Sequence, residues 1–397
     1  MTNSPDAASG KKNQPVPLLD VPLLDVRCDN EPLREEMLAA LAEVVDSGRF
    51  LHGPDVSKLE REIASYCQTE HAIGCASGSD ALLLSLMALD IGPGDEVILP
   101  SFTFFATASA IWRLGATIVF ADIDPASFNI DPAAIKAVVS PRTKAIIPVH
   151  LFGQCAEMPD ICAIAKKHNL LVIEDAAQAI GANYEGRAAG SWGDVGCLSF
   201  YPTKNLGGCG DGGMLTTNNT DLAQRLRLFA AHGMSPRYHH HVVGINSRLD
   251  SMQAALLRVK LRHLDRWTKS RQQNAARYNQ LLKEVGLDGQ LELPTHNKAS
   301  RHVWNQYSIR LPNGGRDQLR TWLSEGQIGS EIYYPLPVHL QPCFEQLGYA
   351  EGSLPETERV ANEILNLPIF PGLSVDQQRC VVARLSEFFA TRGASAA

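Results

Sequence analysis

The chain has 397 residues, and 36 Lys+Arg against 43 Asp+Glu give it a formal net charge of −7. With 45% hydrophobic and 20% charged residues it is not a disordered chain. The acidic balance argues against a polyanion-binding surface, so an anionic ligand must be drawn by locally placed groups.

Residues 1–16 are rich in Ser, Asn, Gly, Lys and Pro and read as a flexible tail without the apolar stretch of a secretory signal. No segment reaches the about 18 continuous apolar residues of a membrane helix. Nine scattered cysteines without a C-x-x-C pair read as reduced, packed thiols, with no zinc site. A cytoplasmic protein is expected.

Beyond the tail, strand and helix patterns alternate. SKLEREIASYC (57–67) has apolar residues at helical spacing. The strand-like HAIGCA leads into SGSDALLLSLMAL (77–89), where small capping residues open an apolar helix. EVILP (96–100) is a β-branched strand closed by proline; a helix over 106–114 and a strand over 117–124 follow. Helices are predicted over 133–140 and 160–169, and strands over 144–150, 170–175, 195–200 and 212–217. Apolar strands alternating with helices predict an α/β fold whose mostly parallel central sheet is covered on both faces.

The stretch 250–286 is helical but too long for one ordinary helix without a bend. Beyond it come a strand pattern (302–311) and helices (316–326 and 376–391), the composition of a smaller α+β domain. The expected division is a large domain over 17–262 and a small one over 263–397.

In a mostly parallel sheet the ligand sits beyond the carboxyl ends of the strands. There the sequence concentrates chemistry. GDVGCLSFYPTKNLGGCGDGGML (193–215) delivers Ser199, then Lys204, then a glycine-dense loop through which backbone can approach a ligand closely. In LLVIEDAAQAIGA (170–182) the Asp175 carboxylate ends an apolar strand, where a charge is costly without a cationic partner. ASGSDAL (76–82) joins a strand to a helix N-terminus, an anion site suited to phosphate. Alone, each reads as an ordinary turn, cap or solvated lysine. Together they point to pyridoxal 5′-phosphate. Lys204 would hold the cofactor aldehyde and shuttle the proton, and Asp175 would keep the ring nitrogen protonated. Gly78, Ser79 and Ser199 would bind the phosphate. From SFTFFAT (101–107), Phe104 is favoured over Phe102 and Phe105 to lie on the ring face. His239, His240 and His241 are not read as a metal site, because adjacent residues cannot all point at one ion.

These co-linear segments, with GINSRLDSMQAALL and YYPLPVHLQP further on, resemble the DegT/DnrJ/EryC1/StrS sugar aminotransferases of fold type I over nearly the whole chain from about residue 17. The resemblance implies a homodimer with shared active sites, in which Asn246 reaches the phosphate of the neighbouring subunit's cofactor and Gln178 bonds the ring hydroxyl. A branch that removes a hydroxyl carries histidine at the lysine position; Lys204 here favours transamination. The stretch HGMSPRYHHHVVGINSRLD (232–250) is similar to that of 3-keto-sugar aminotransferases. It implies Arg237, Tyr238 and His240 as substrate contacts, with Tyr334 and His339 as further candidates. The expected activity is amination of a nucleoside-diphosphate-linked 3-keto hexose with glutamate as donor, for cell-surface polysaccharide or glycosylated natural products. The alternatives are a cyclitol or other ketone as acceptor, or a pyridoxal phosphate-binding regulator without turnover.

Overall fold

The computed structural model describes residues 19–396; the predicted tail over 1–16 lies outside them. Seven strands form the central sheet: β1 (His71–Cys75), β2 (Glu96–Pro100), β3 (Thr117–Ala121), β4 (Thr143–Ile146), β5 (Leu171–Asp175), β6 (Val195–Ser199) and β7 (Gly213–Thr217). Their order is β1-β7-β6-β5-β4-β2-β3. Pairing is parallel from β3 through β6, and β7 runs antiparallel between β1 and β6. The α/β architecture with a mostly parallel sheet is therefore the one expected.

The strands are apolar on both faces because helices cover both. Every residue of β2 is buried. The helix Gly78–Ala88 is apolar nearly all round and buries seven of its eleven residues, as a helix does when it lies inside a core rather than on a surface. It packs with Phe105–Arg113 and Thr220–Ala230 against one face. Pro132–Val138 and Met158–His168 cover part of the other. This arrangement leaves the carboxyl ends of β2, β5 and β6 pointing at one place.

The long helical stretch divides into Ser251–Leu261 and Leu264–Glu284, broken at Arg262 and His263. The second helix buries Trp267, Tyr278 and Leu282 and packs against the C-terminal helix Val375–Ala396. A two-stranded sheet of β8 (Tyr307–Arg310) and β9 (Ile364–Leu367) completes this layer. The strand pattern over 302–311 forms only at its end. The Val303 and Asn305 amides bond instead to the carbonyls of Gly153 and Phe152, and His302 stacks on Trp304 at 4.0 Å, so the backbone there turns before it can pair. No helix among the described residues is long and apolar enough to cross a membrane.

The start of the described chain packs with its end. Val21 bridges Ile328, with its amide on the Gln327 carbonyl (3.0 Å) and its own carbonyl on the Gly329 amide (2.8 Å). From there the segment runs to Asp29, whose carboxyl burial pushes up to about 6 against the pull of Arg271 and Lys260. A carboxyl raised in the folded state stabilises the fold below its ordinary value of 3.8, and that contribution is lost as pH rises through about 6. Asp29→Asn is therefore expected to gain stability relative to the parent between pH 5 and pH 8, by on the order of 1–2 kcal/mol. Urea denaturation at both pH values checks this; an unchanged difference between them would refute it.

Candidate active site

The site is built from three strand ends. β1 runs into Ser77, whose extended backbone (φ −164°, ψ 165°) caps the Gly78–Ala88 helix, its hydroxyl accepting from the Asp80 amide at 3.1 Å. The Gly78 and Ser79 amides lie in the first turn, where they have no intrahelical acceptor. Gly78 has no room for a side chain: an added Cβ would lie 2.7 Å from the Ser199 Cβ at the end of β6. At Gly213 a Cβ would lie 2.3 Å from the Ser77 carbonyl oxygen. Glycine at both positions thus lets the helix N-terminus sit against the Ser199 hydroxyl. The result is a concave set of N–H and O–H donors with the positive end of a helix dipole behind it, the chemistry of a phosphate cradle.

Asp175 ends β5 and is buried. Its Oδ2 accepts from the Thr107 hydroxyl (2.8 Å) and its Oδ1 from the Ala177 amide (3.2 Å). Burial pushes its pKa above the usual carboxylate range, although Thr107, Ala177 and Lys204 pull it down. Such a group is relieved by a cation held at its face. Lys204 follows β6 through a turn closed by its amide on the Tyr201 carbonyl at 2.8 Å. Burial holds its amine below the usual lysine range, with the Asp175 charge opposing. That favours the neutral, nucleophilic form.

The turn is fixed from behind. Asn205 donates to the Val303 carbonyl (3.0 Å) and accepts from Asn305 (3.0 Å), and the buried Lys260 amine donates to the Gly207 carbonyl. Cradle, carboxylate and amine all line one cavity of about 610 Å³. A phosphate-bearing ring with an aldehyde and a basic nitrogen fits this donor set: donors for the phosphate, an amine for the carbonyl, and an uncompensated buried carboxylate for a protonated nitrogen.

Of the residues expected from sequence, Gly78, Ser79, Phe104, Asp175, Gln178, Ser199, Lys204 and Tyr334 all line this cavity. Phe104 does so alone of the three phenylalanines. Phe102 is wholly buried in the core, and Phe105 stacks on Phe344 at 5.4 Å. Gln178 is oriented by the Phe152 amide on its Oε1 (2.7 Å) and donates through Nε2 to the Tyr334 hydroxyl (3.1 Å).

Five others lie outside the cavity. Asn246 lies in an adjoining open cleft with Leu51, Asp211 and Arg248. Arg237, Tyr238 and His240 lie on an exposed loop, where the Arg237 guanidinium sits 4.9 Å over the Tyr238 ring and His240 Nδ1 meets the His232 carbonyl at 2.9 Å.

His339 departs from expectation. It is buried with both ring nitrogens engaged, Nδ1 with the Ser101 hydroxyl (2.7 Å) and Nε2 with Glu358 (3.1 Å). It lines no part of the cavity and has no nitrogen left for a substrate there. Its place is in a strut tying the end of β2 to the 333–341 segment.

The cavity also contains residues that sequence reasoning missed. Behind the wall, the buried Thr107 of the helix Phe105–Arg113 supports Asp175 without lining the cavity. Glu331, Tyr333, Asn305 and Gln306 reach the wall from the C-terminal layer, and nothing in the local pattern marks them.

Comparison with known proteins agrees with this geometry. The profile of the DegT/DnrJ/EryC1/StrS aminotransferase family matches residues 31–386. The chain is 53% identical over 371 residues to a Geobacillus stearothermophilus protein named pleiotropic regulatory protein, covering 94% of this chain and 99% of that one. It is 47% identical over 357 residues to the UDP-N-acetyl-3-dehydro-alpha-D-glucosamine 3-aminotransferase of Acidithiobacillus ferrooxidans, covering 90% of this chain and 95% of that one. Among solved structures it is similar to S. venezuelae DesV in complex with a ketimine intermediate, with a TM-score of 0.89, 43% identity and coverage of 93% and 98% of the two chains. The chain belongs to the DegT/DnrJ/EryC1/StrS aminotransferase family and is a pyridoxal 5′-phosphate-dependent aminotransferase of fold type I.

Proposed function

We infer that this protein transfers the amino group of glutamate to the ketone of a nucleoside-diphosphate-linked 3-keto hexose. The observation that carries the chemistry is the convergence of Lys204, Asp175 and the Ser77, Gly78 and Ser79 cradle on one cavity. The sugar class rests on the 47% identity to a UDP-sugar 3-aminotransferase. The regulatory name of one relative favours no second reading, because a chain that only bound the cofactor would have no need of a depressed amine facing a buried carboxylate.

Bound pyridoxal 5′-phosphate supplies an electron sink for the carbon beside the transferred nitrogen. The protein's part is positional and protonic. Gly78, Ser79 and Ser199 hold the phosphate. Asp175, hydrogen-bonded by Thr107 and Ala177, would hold a proton on the ring nitrogen. Phe104 covers one ring face. Gln178 is aimed at the ring hydroxyl by Phe152. The Lys204 Nζ would hold the cofactor carbonyl and, when free, would be the group that moves the proton.

The working unit is a homodimer in this reading, with Asn246 serving the neighbouring subunit's phosphate and Arg237, Tyr238 and His240 serving its sugar nucleotide. The exposure of Phe50, Leu51 and Val243 near the Asn246 cleft supports an apolar partner surface there. The protein divides near residue 262 into a large cofactor domain and a small domain, and works in the cytoplasm, where its nine thiols remain reduced.

The test is a screen of the pyridoxamine-form protein against 3-keto and 4-keto nucleotide sugars and cyclitol ketones. Turnover of 3-keto sugars at least about tenfold above the others, a difference of about 1.4 kcal/mol in the barrier, is expected. Turnover confined to 4-keto sugars or to cyclitols would overturn the assignment.

A further inference from the structure

Protonation of the cofactor's ring nitrogen depends on an anionic Asp175, yet burial disfavours that anion. Two hydroxyls stand behind it in a line. Thr107 is wholly buried and Thr103 nearly so, and of the two only Thr103 lines the cavity. The Thr107 hydroxyl has one proton and two acceptors within reach, Asp175 Oδ2 at 2.8 Å and the Phe104 carbonyl at 3.2 Å. The carboxylate is the stronger and the nearer acceptor, so the proton goes to Asp175. The Thr107 oxygen is then free to accept from the Thr103 hydroxyl at 3.1 Å, which has no other hydrogen-bond partner among the described residues.

We propose that Thr107, backed by Thr103, is a positioning residue that keeps the proton shared between Asp175 and the cofactor on the ring nitrogen, and so sets the strength of the electron sink. The line of hydroxyls is directional. Pointing at Asp175, it stabilises the anion through a charge-assisted bond that the second hydroxyl polarises further. If the acid kept the proton, Thr107 would turn to the Phe104 carbonyl and that stabilisation would vanish. The other groups that bear on the Asp175 charge leave the balance to these hydroxyls. Lys204 is engaged when it holds the cofactor, His150 is turned through Nε2 to Glu174 at 2.8 Å, and the Ala177 amide makes the longer bond at 3.2 Å. Both threonines are shut off from solvent, so no water replaces a lost hydroxyl.

The experiment reads the ring nitrogen directly, by solid-state ¹⁵N NMR of the protein loaded with pyridoxal 5′-phosphate labelled at that nitrogen. The parent signal is expected at the protonated-pyridine position. Thr107→Val keeps the shape and removes the hydroxyl; it should shift the balance between the two proton positions about tenfold and move the signal toward neutral pyridine. Thr103→Val should move it the same way by less, about threefold, since only the cooperative part is lost. Thr107→Ser should restore the parent signal. Loosening of the fold or partial loss of cofactor does not move the nitrogen signal of the molecules still bound. A Thr107→Val signal at the parent position therefore overturns the proposal, as does a serine variant that behaves like valine. If the valine variant yields no loaded protein, Thr103→Val decides, and an unmoved signal there overturns the proposal. The measurement needs neither amino donor nor sugar, so its outcome is independent of the substrate assignment.

Discussion

Lys204→Ala is expected to lower turnover by at least about 10³-fold, since it removes both the covalent anchor and the group that moves the proton. The loss should be chemical and not structural. The backbone of the turn is held by contacts the substitution does not touch: the Lys204 amide on Tyr201, Asn205 on Val303 and Asn305, and Lys260 on Gly207. The phosphate cradle is also independent of it, so the variant should still retain cofactor through gel filtration. Lys204→Arg separates charge from proton transfer. A guanidinium keeps the positive charge near Asp175 but does not become neutral at working pH, so it should be as inactive as alanine. A small primary amine added to the alanine variant should restore part of the rate, because it can enter the vacated volume and carry the proton. Turnover of either variant within tenfold of the parent would remove Lys204 from the chemistry.

The parts of this site that were legible in the sequence are those carried by one short segment each. Lys204 stands in a glycine-rich turn after a strand, Asp175 ends an apolar run, and Ser77 opens a helix. Each is placed by local propensity and by the rule that ligands gather at the carboxyl ends of parallel strands. Phe104 was separable from Phe102 and Phe105 because a strand end followed by a helix start turns neighbouring side chains in different directions.

What was not legible depends on contacts between distant segments. His339 follows a Pro-Leu-Pro-Val stretch, and nothing local says which way its ring faces. Its partner Ser101 is 238 residues away, and that bond removes it from the cavity. Glu331 and Tyr333 reach the wall only because the C-terminal layer docks over β2 and β5. The strand pattern over 302–311 failed in part for the same reason: the backbone donors of Val303 and Asn305 had better acceptors in the 152–153 turn than in a neighbouring strand.

Glu174 is the sharpest case of this limit, and it leads to the largest expected effect on stability. Strand alternation puts Asp175 toward the cavity and its neighbour Glu174 on the opposite face. The sequence thus buries a second carboxyl with no partner nearby in the chain. The structure supplies four donors from two other segments. Oε2 accepts from His150 Nε2 (2.8 Å) and the Gly190 amide (2.8 Å); Oε1 accepts from the amides of Trp192 (2.6 Å) and Gly193 (2.8 Å). The tautomer of His150 is set as well, because its Nδ1 accepts from the Ala156 amide (3.1 Å), which puts the ring proton on Nε2, facing Glu174. Glu174 and His150 are both fully buried and Gly190 is buried with them, so the His150 and Gly190 donors have no water to turn to, while Trp192 and Gly193 are half-buried.

Glu174→Ala therefore strands all four donors and is expected to destabilise the protein by about 3–5 kcal/mol. Glu174→Gln tests whether the cost is merely volume. An amide matches the shape but presents an NH2 where two donors already point, so it keeps two of the four bonds and replaces the others with opposed donors. It should cost about 2–3 kcal/mol, well beyond an ordinary conservative change. Urea denaturation of both variants decides the matter, and a glutamine variant within about 0.5 kcal/mol of the parent would show that the carboxylate is not what holds the 190–193 loop. The effect should also reach the site. Asp175 is bonded through its backbone to Pro148 and His150 (2.9 and 3.0 Å), so loosening His150 shifts the strand end that aims the Asp175 carboxylate. A fall in cofactor affinity that tracks the loss of stability across the two variants is expected.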